Sequence, residues 1–310
     1  MNILPEKPQP VYAGLDIAKA TLQLHLQGRQ HALPNTAAGH TRLLKLVRAV
    51  PGVHLVCEAT GGYERAVVAA LHAAEVPVSV VNPARVRHFA RAQGRAAKND
   101  PLDAQTLTAF GQALAPTPTP VPDAALGELR ELVRWRAHLQ AQLTATGNRA
   151  EHAATPFVTR EQAKLVKQLT AQIQAVEAEL AAALQRAPAW QAQIRKLAQL
   201  DGVGTLTAVA TLSQLPELGR VSRREIAALA GLAPWTRQSG PWEGQRHIGG
   251  GRAEVRRALY MAAVSLARMN QTVLGQFYRR LRAAGKPAKV ALTAVMRKLL
   301  LQMNHTLKPA

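Results

Sequence analysis

Apolar and polar residues alternate through "VYAGLDIAKATLQLHLQG", residues 11–28, in two short runs separated by the polar break "AKAT". A period of two puts one face of each run against a core, and the break predicts two adjacent strands of a hairpin. Further β-rich runs stand at "HLVCEAT" and "VPVSVVNP", with helical spacing between and after them in "TAAGHTRLLKLVRAV", "GYERAVVAALHAAE" and "PARVRHFARAQG". Strands first, then strand and helix in alternation, predict an α/β domain with helices packed on a mixed sheet. A helix opening at "DPLDAQTLTAFGQAL" closes it.

The next stretch, "APTPTPVPDAA", cannot sustain a helix or a central strand and is expected to run extended as a semi-rigid linker. Beyond it, "LGELRELVRWRAHLQAQLTATGNRAEH" and "TREQAKLVKQLTAQIQAVEAELAAALQR" keep apolar residues at helical spacing over long spans. Two long helices joined near Pro156 predict an antiparallel, coiled-coil hairpin, an element that mates protomers or braces domains. The remainder is mainly helical but is interrupted by "LAPWTRQSGPWEGQRHIGGG", a loop too elaborate for a plain connector. The expected division is therefore 1–114, 115–188 and 189–310.

Charge changes the picture. The 310 residues hold 39 Lys and Arg against 19 Asp and Glu, a net +20, and a polyanionic partner is the usual reason for such a balance. The excess is concentrated in residues 191–310, with 19 basic and 5 acidic side chains. No run approaches the roughly 20 apolar residues of a spanning helix, and the opening residues lack a signal-peptide pattern, so a cytoplasmic protein without membrane contact is expected. A single cysteine, Cys57, leaves no internal disulfide or multi-cysteine zinc site to expect and reads as a buried small side chain.

The scarce acids of the first domain form a set. Asp16 lies among apolar neighbours in "AGLDIAK", where an unpaired charge is costly. Glu58 ends a strand run, just before a Gly pair. Asp100 and Asp103 open the closing helix, where positions three apart share a face and the helix N-terminus tolerates negative charge. Taken singly, Asp100 reads as an N-cap, Asp103 as a dipole partner and Glu58 as an exposed strand end. Four carboxylates converging on a sheet edge would instead offer hard oxygen ligands to two Mg²⁺ or Mn²⁺ ions clamping a phosphodiester.

In the basic third, "LAQLDGVGTLTAVATLSQL" reads as a helix-hairpin-helix, in which Gly202 and Gly204 let backbone amides approach a phosphate; a plain helical corner would use the same glycines. Ser239 stands in the long loop, and Arg237, Arg246, Arg252, Arg256 and Arg257 could surround a scissile phosphate beside it. An isolated Ser-Gly pair is most often only a turn.

The ordered set "GLDIAK", "CEATGGYE", "KNDPLDA", "LDGVG", "LAGLAP", "SG" and "GGGRAEVRRALYMAA" resembles the DEDD transposases of the insertion sequence 110 family, over nearly the whole chain. That resemblance implies an RNase H-like (RuvC-like) N-terminal domain, a coiled-coil connection and a C-terminal transposase domain bearing a serine. It carries the four acids onto Asp16, Glu58, Asp100 and Asp103 and the serine onto Ser239. It further implies bacterial, nucleoid-associated recombination of double-stranded DNA at element ends and target, through a covalent phosphoserine. A structured noncoding bridge RNA would supply the pairing. A homo-oligomer, from dimer to synaptic tetramer, would bring one protomer's acids to another's serine. The run "HIGGGRAEVRR" departs from more lysine-rich versions, which leaves the local arginine roles open. Two alternatives stand beside this reading: a metal-dependent nuclease that resolves branched DNA with water, and a non-catalytic nucleic-acid-binding scaffold.

Overall fold

A computed structural model describes residues 10–94, 100–152, 155–235, 238–239, 242–244 and 246–309, with the side chains of 100–102, 238–239 and 242–243 outside the description. It divides the chain into two compact units, Met1–Val121 and Pro122–Ala310.

The first unit is built on five strands in the order β3-β2-β1-β4-β5. Strands β1 (Val11–Ile17), β2 (Thr21–Leu26) and β3 (Arg29–Pro34) form an antiparallel meander, while β4 (Val53–Glu58) and β5 (Val78–Val81) run parallel to β1. The mixed sheet and the predicted hairpin are both present, and the architecture is compatible with the RNase H-like expectation. Strand β3 is an addition to the sequence reading: only Leu33 of its six residues is buried, so the alternation that reveals a strand is nearly absent.

Helices α1 (Ala37–Arg48) and α2 (Arg65–Ala73) cover one face of the sheet, where Leu43, Val47, Val67 and Leu71 pack on Ala13, Leu15 and Cys57. Helices α3 (Pro83–Ala92) and α4 (Asp100–Leu114) cover the other, where Val86, Leu107 and Phe110 pack on Val56 and Val81. Thr36 caps α1 and Asn82 caps α3, with Pro83 pre-set for the first helical turn. The proline-rich stretch forms neither helix nor strand, and it is pinned to the edge of the sheet. Thr119 N–H donates to Val78 O at 2.8 Å, Val80 N–H to Thr119 Oγ1 at 2.9 Å, and Ser79 Oγ to Thr117 O at 2.8 Å. Pro116, Pro118 and Pro120 have no amide to offer a further strand, which blunts this edge.

The second unit opens at Asp123, whose carboxylate accepts from Leu126 N–H at 2.8 Å and starts α5 (Ala124–Ala150). α5 and α6 (Pro156–Arg186) form an antiparallel hairpin around Leu139, Leu169, Ile173 and Val176, laced by Arg136–Glu177 and Arg186–Glu128 ion pairs, each 2.6 Å. The lower end of the hairpin shares its core with the helices that follow. Leu129, Leu180 and Leu184 pack in one cluster with residues of α7 (Pro188–Ala198), α8 (Thr205–Gln214), α9 (Arg223–Leu229), α10 (Ala253–Arg268), α11 (Val273–Ala283) and α12 (Ala288–Thr306). Between α9 and α10 runs a two-stranded ribbon, β6 (Gln238–Ser239) and β7 (Trp242–Glu243). No helix among the described residues is long and apolar enough to cross a membrane.

Candidate active site

Asp16 is the next-to-last residue of β1, nearer the strand end than its run in the sequence suggests, and Glu58 is the last residue of β4. Parallel pairing of these strands runs up to Leu15 opposite Cys57, so the next residues along, Asp16 and Glu58, lie side by side at the carboxyl edge of the sheet. Their face is set by alternation from Gly14 and Val56, two residues earlier. Both of those meet α4: a Cβ on Gly14 would lie 1.9 Å from Ala104 O, and Val56 packs with Leu107 and Phe110. Asp16 and Glu58 therefore stand on the face that α4 covers.

The direction of α4 brings its first turn toward the same edge. Tyr12 lies against Gly111, and Gly14 against Ala104 and Thr108, so moving up β1 toward Asp16 means moving back along α4 toward its first turn. That turn carries Asp100 and Asp103. The Gly14 contact explains why no larger residue fits there. Gly111 does the same for the Tyr12 ring, 2.7 Å from where its Cβ would be. Thr108 fastens the crossing. Its hydroxyl accepts from Gly14 N–H at 2.8 Å and shares a 2.8 Å hydrogen bond with His25 Nδ1, which burial keeps below the ordinary histidine pKa.

The rim of this edge is organised by residues the sequence reading passed over. Asn35 Nδ2 donates to Ala18 O at 2.9 Å and to Tyr63 O at 3.3 Å, tying the β1–β2 turn to the loop after β4, and His40 Nε2 holds Asn35 Oδ1 at 2.8 Å. Glu64 folds back over the Gly pair: Oε2 accepts from Gly62 N–H at 2.8 Å and from Thr60 N–H and Oγ1 at 3.1 Å. Burial alone would raise the Glu64 pKa, but these donors hold it below the usual carboxylate value. Cys57 is fully buried, as expected; burial, with Glu64 and Glu58 nearby, pushes its thiol up to about 12. The available signal for Glu64 was a carboxylate just after two glycines, both with positive φ here, of 73° and 115°.

Asp16 and Glu58 thus share one edge and one face, and the α4 turn that carries Asp100 and Asp103 runs toward them; carboxylate oxygens as a class suit Mg²⁺ or Mn²⁺. Among the described residues, which do not include the side chain of Asp100, no three His, Cys, Asp or Glu side chains are gathered tightly enough to hold an ion as they stand.

In the second unit Ser239 lies in β6, its backbone opposite Trp242, with the ribbon closed below by the Trp235–His247 bridge. Arg237 lies outside the described residues. The other arginines divide into two groups. Arg252 is committed internally, bound to both carboxylate oxygens of Glu217 at 2.6 Å and to Gln214 O at 2.9 Å, and Arg256 donates to Ala230 O at 3.0 Å and to Gly250 O. Arg246 and Arg257 are exposed. The glycines divide likewise. Gly202 has φ 74° and sits 2.5 Å, at Cβ, from the Leu266 side chain, so packing dictates it; Gly204 leads into α8 with open space around it.

Comparison with known proteins agrees with this layout. Residues 13–158 match a family profile described as "Transposase", for the DEDD transposases of IS110 type, and residues 194–279 match "Transposase IS116/IS110/IS902 family". The chain is 28% identical over 301 residues to the "Pilin gene-inverting protein" of Moraxella lacunata, and equally to that of Moraxella bovis, with 93% of each chain covered in both cases. With two profiles of one family matched in order over about three quarters of its length, the chain belongs to the IS110 family of DEDD transposases, enzymes that break and rejoin DNA.

Proposed function

We propose that this transposase exchanges DNA strands through two centres, a carboxylate site of Asp16, Glu58, Asp100 and Asp103 and a nucleophilic Ser239. The observation that carries the first is the shared edge and face of Asp16 and Glu58 together with the direction of α4. The family implies a divalent metal; Mg²⁺ or Mn²⁺, bound as a pair by these four side chains, would neutralise the phosphate and favour oxygen attack. The protein's own part is to fix the acids on rigid strands and a clamped helix, so that repulsion among them is held in place until cations relieve it.

Ser239 Oγ would form a bond to phosphorus as the bond to the departing strand breaks, its proton passing to solvent and the departing oxygen taking one up. The phosphodiester energy is retained in the phosphoserine, and the reverse attack by a DNA hydroxyl rejoins strands without ATP. The relatives' name denotes gene inversion, a reaction that must rejoin what it cuts, and this favours a covalent intermediate over hydrolysis. The exposed Arg246 and Arg257 are the phosphate-stabilising arginines of this reading, with Arg237 beside the serine in sequence, while Arg252 and Arg256 brace the loop. The α7–α8 turn acts as a helix-hairpin-helix through the α8 end at Gly204. The α5–α6 hairpin serves as the coiled-coil connection between 1–114 and 189–310. A noncoding bridge RNA selects donor and target, and a tetramer assembles at synapsis.

The test uses purified full-length protein, RNA transcribed from the DNA flanking its gene, the element-end DNA, and Mg²⁺. A protein–DNA adduct lost on Ser239→Ala, on Asp16→Asn and on chelation is expected. Undiminished cleavage by Ser239→Ala, leaving free ends, would establish the hydrolytic nuclease instead, and an RNA requirement is read by omitting the transcript.

A further inference from the structure

After Glu254 the chain contains no acid and eleven Lys and Arg. Among the described residues none of those eleven forms an ion pair, since the ion pairs present all involve Arg136, Lys164, Arg186 or Arg252. Five of them crowd into one corner: Arg279, Arg280 and Arg282 on α11, Lys286 in the turn, and Lys289 at the start of α12, all exposed.

Two features make this corner more than a scatter of solvated charge. First, it is braced. Arg282 Nη1 donates to Lys286 O at 2.6 Å, Arg279 donates to Asn270 O, and the half-buried Phe277 ring, packed against the core, carries the Arg280 guanidinium at 5.4 Å and Lys298 Nζ at 4.2 Å from its centroid. Long side chains lose entropy when held this way, and holding them reduces what a ligand must order. Second, the charge exceeds what the helices need. The C-terminal dipole of α11 accounts for Arg280 and Arg282. It does not account for Lys286 beyond the helix or for Lys289, which lies in the first turn of α12, where a cation is disfavoured. With a rise of about 1.5 Å per residue, the three α11 arginines are attached within about 5 Å of helix axis, so three like charges are rooted in one turn with no acid among them. An anion with closely spaced charges relieves all of these costs.

We infer that the α11–α12 corner is a binding site for the phosphate backbone of a nucleic acid, separate from the serine loop and from the α7–α8 turn. It rests on the partner being a nucleic acid, but not on Ser239 or the carboxylates, so it is tested by binding without divalent metal rather than by cleavage.

The test is the triple variant Arg280→Gln, Lys286→Gln, Lys289→Gln, at positions whose side chains donate no hydrogen bond to another described residue. The control removes the same charge from exposed α6 positions, Arg160→Gln, Lys164→Gln, Lys167→Gln. Both full-length proteins are titrated with a random-sequence DNA duplex and with a hairpin RNA of equal length across a salt series. Each lost phosphate contact lowers the slope of log K against log salt by about 0.9 on duplex DNA. A slope smaller by about 2 to 3 than the control's on DNA assigns the corner to DNA, and a loss on the RNA alone assigns it to RNA. Slopes and affinities equal to the control's on both overturn the site. Circular dichroism of both variants, with the single Lys286→Gln and Lys289→Gln proteins as milder versions, separates lost binding from lost fold.

Discussion

The amide of Gly14 donates to the hydroxyl of Thr108 at 2.8 Å, across the point where β1 and α4 come closest. Two residues beyond Gly14 lies Asp16, and five and eight residues before Thr108 lie Asp103 and Asp100, in the first turn of α4. The bond is therefore the fulcrum on which the two halves of the proposed carboxylate centre would be set.

Replacing Thr108 with Val preserves shape but strands the Gly14 amide and the His25 ring nitrogen in a buried place. A loss of about 1–3 kcal/mol in stability is expected from urea unfolding. Gly14→Ala forces α4 outward, because the new methyl would collide with Ala104 O, and costs a similar or larger amount through overpacking. If the fulcrum positions the acids, Thr108→Val protein that is still folded needs more Mn²⁺ for half-maximal cleavage. An unchanged metal requirement would limit Thr108 to a stability role.

Acid should loosen the first unit through Glu64. Its folded pKa is depressed, so the stability it contributes is present above the unfolded glutamate value of about 4.3 and is lost as pH falls through the lower folded value. The contribution is on the order of 1 kcal/mol or less once solvent screening of a half-exposed group is allowed for. The urea midpoint of the wild type should fall below that of its own pH 7 value as pH drops under about 4, and Glu64→Gln should remove this part of the slope while lowering the midpoint at pH 7. Parallel pH profiles for the two proteins would show that the loop does not depend on the carboxylate.

How much of this was legible in the sequence depends on where the information is stored. Alternation in "VYAGLDI" and "TLQLHL" revealed β1 and β2 because each buries one face, whereas β3, "RQHALP", pairs through its backbone at the sheet edge and leaves little trace. The carboxylates were legible as types at suggestive places, and their common edge follows from strand register that no local pattern contains. Arg252 and Arg256 show the opposite limit. In sequence they are indistinguishable from Arg257, and only the fold gives them carbonyl and carboxylate partners.

That division of the arginines makes a paired prediction. Arg252→Gln breaks a two-pronged, half-buried ion pair at the start of α10 and should cost about 1–3 kcal/mol of stability. Arg257→Gln changes an exposed side chain and should leave stability within about 0.5 kcal/mol while weakening DNA binding and its salt dependence. Thermal melts and filter binding on the same preparations distinguish them. A stable Arg252→Gln protein with weakened DNA binding would return Arg252 to the phosphate-binding group.

Cys57 supplies a reporter for the carboxylate edge that does not depend on activity. It is the only cysteine, it is fully buried, and its thiol is pushed up to about 12 by burial and by the charges of Glu64 and Glu58, the latter its neighbour in β4. Alkylation requires the thiolate, so iodoacetamide should react only when this end of β4 opens, far more slowly than in urea-unfolded chain. Cations bound by Asp16, Glu58, Asp100 and Asp103 join β1, β4 and α4 and must suppress that opening, by the factor 1 + [M]/Kd for a single site. Mn²⁺ at ten times its Kd should therefore slow alkylation about tenfold in the wild type. It should have little effect in Asp16→Asn, where the edge loses a ligand but keeps its shape. If Mn²⁺ leaves the wild-type rate unchanged at concentrations that support cleavage, the ions act elsewhere than at this edge.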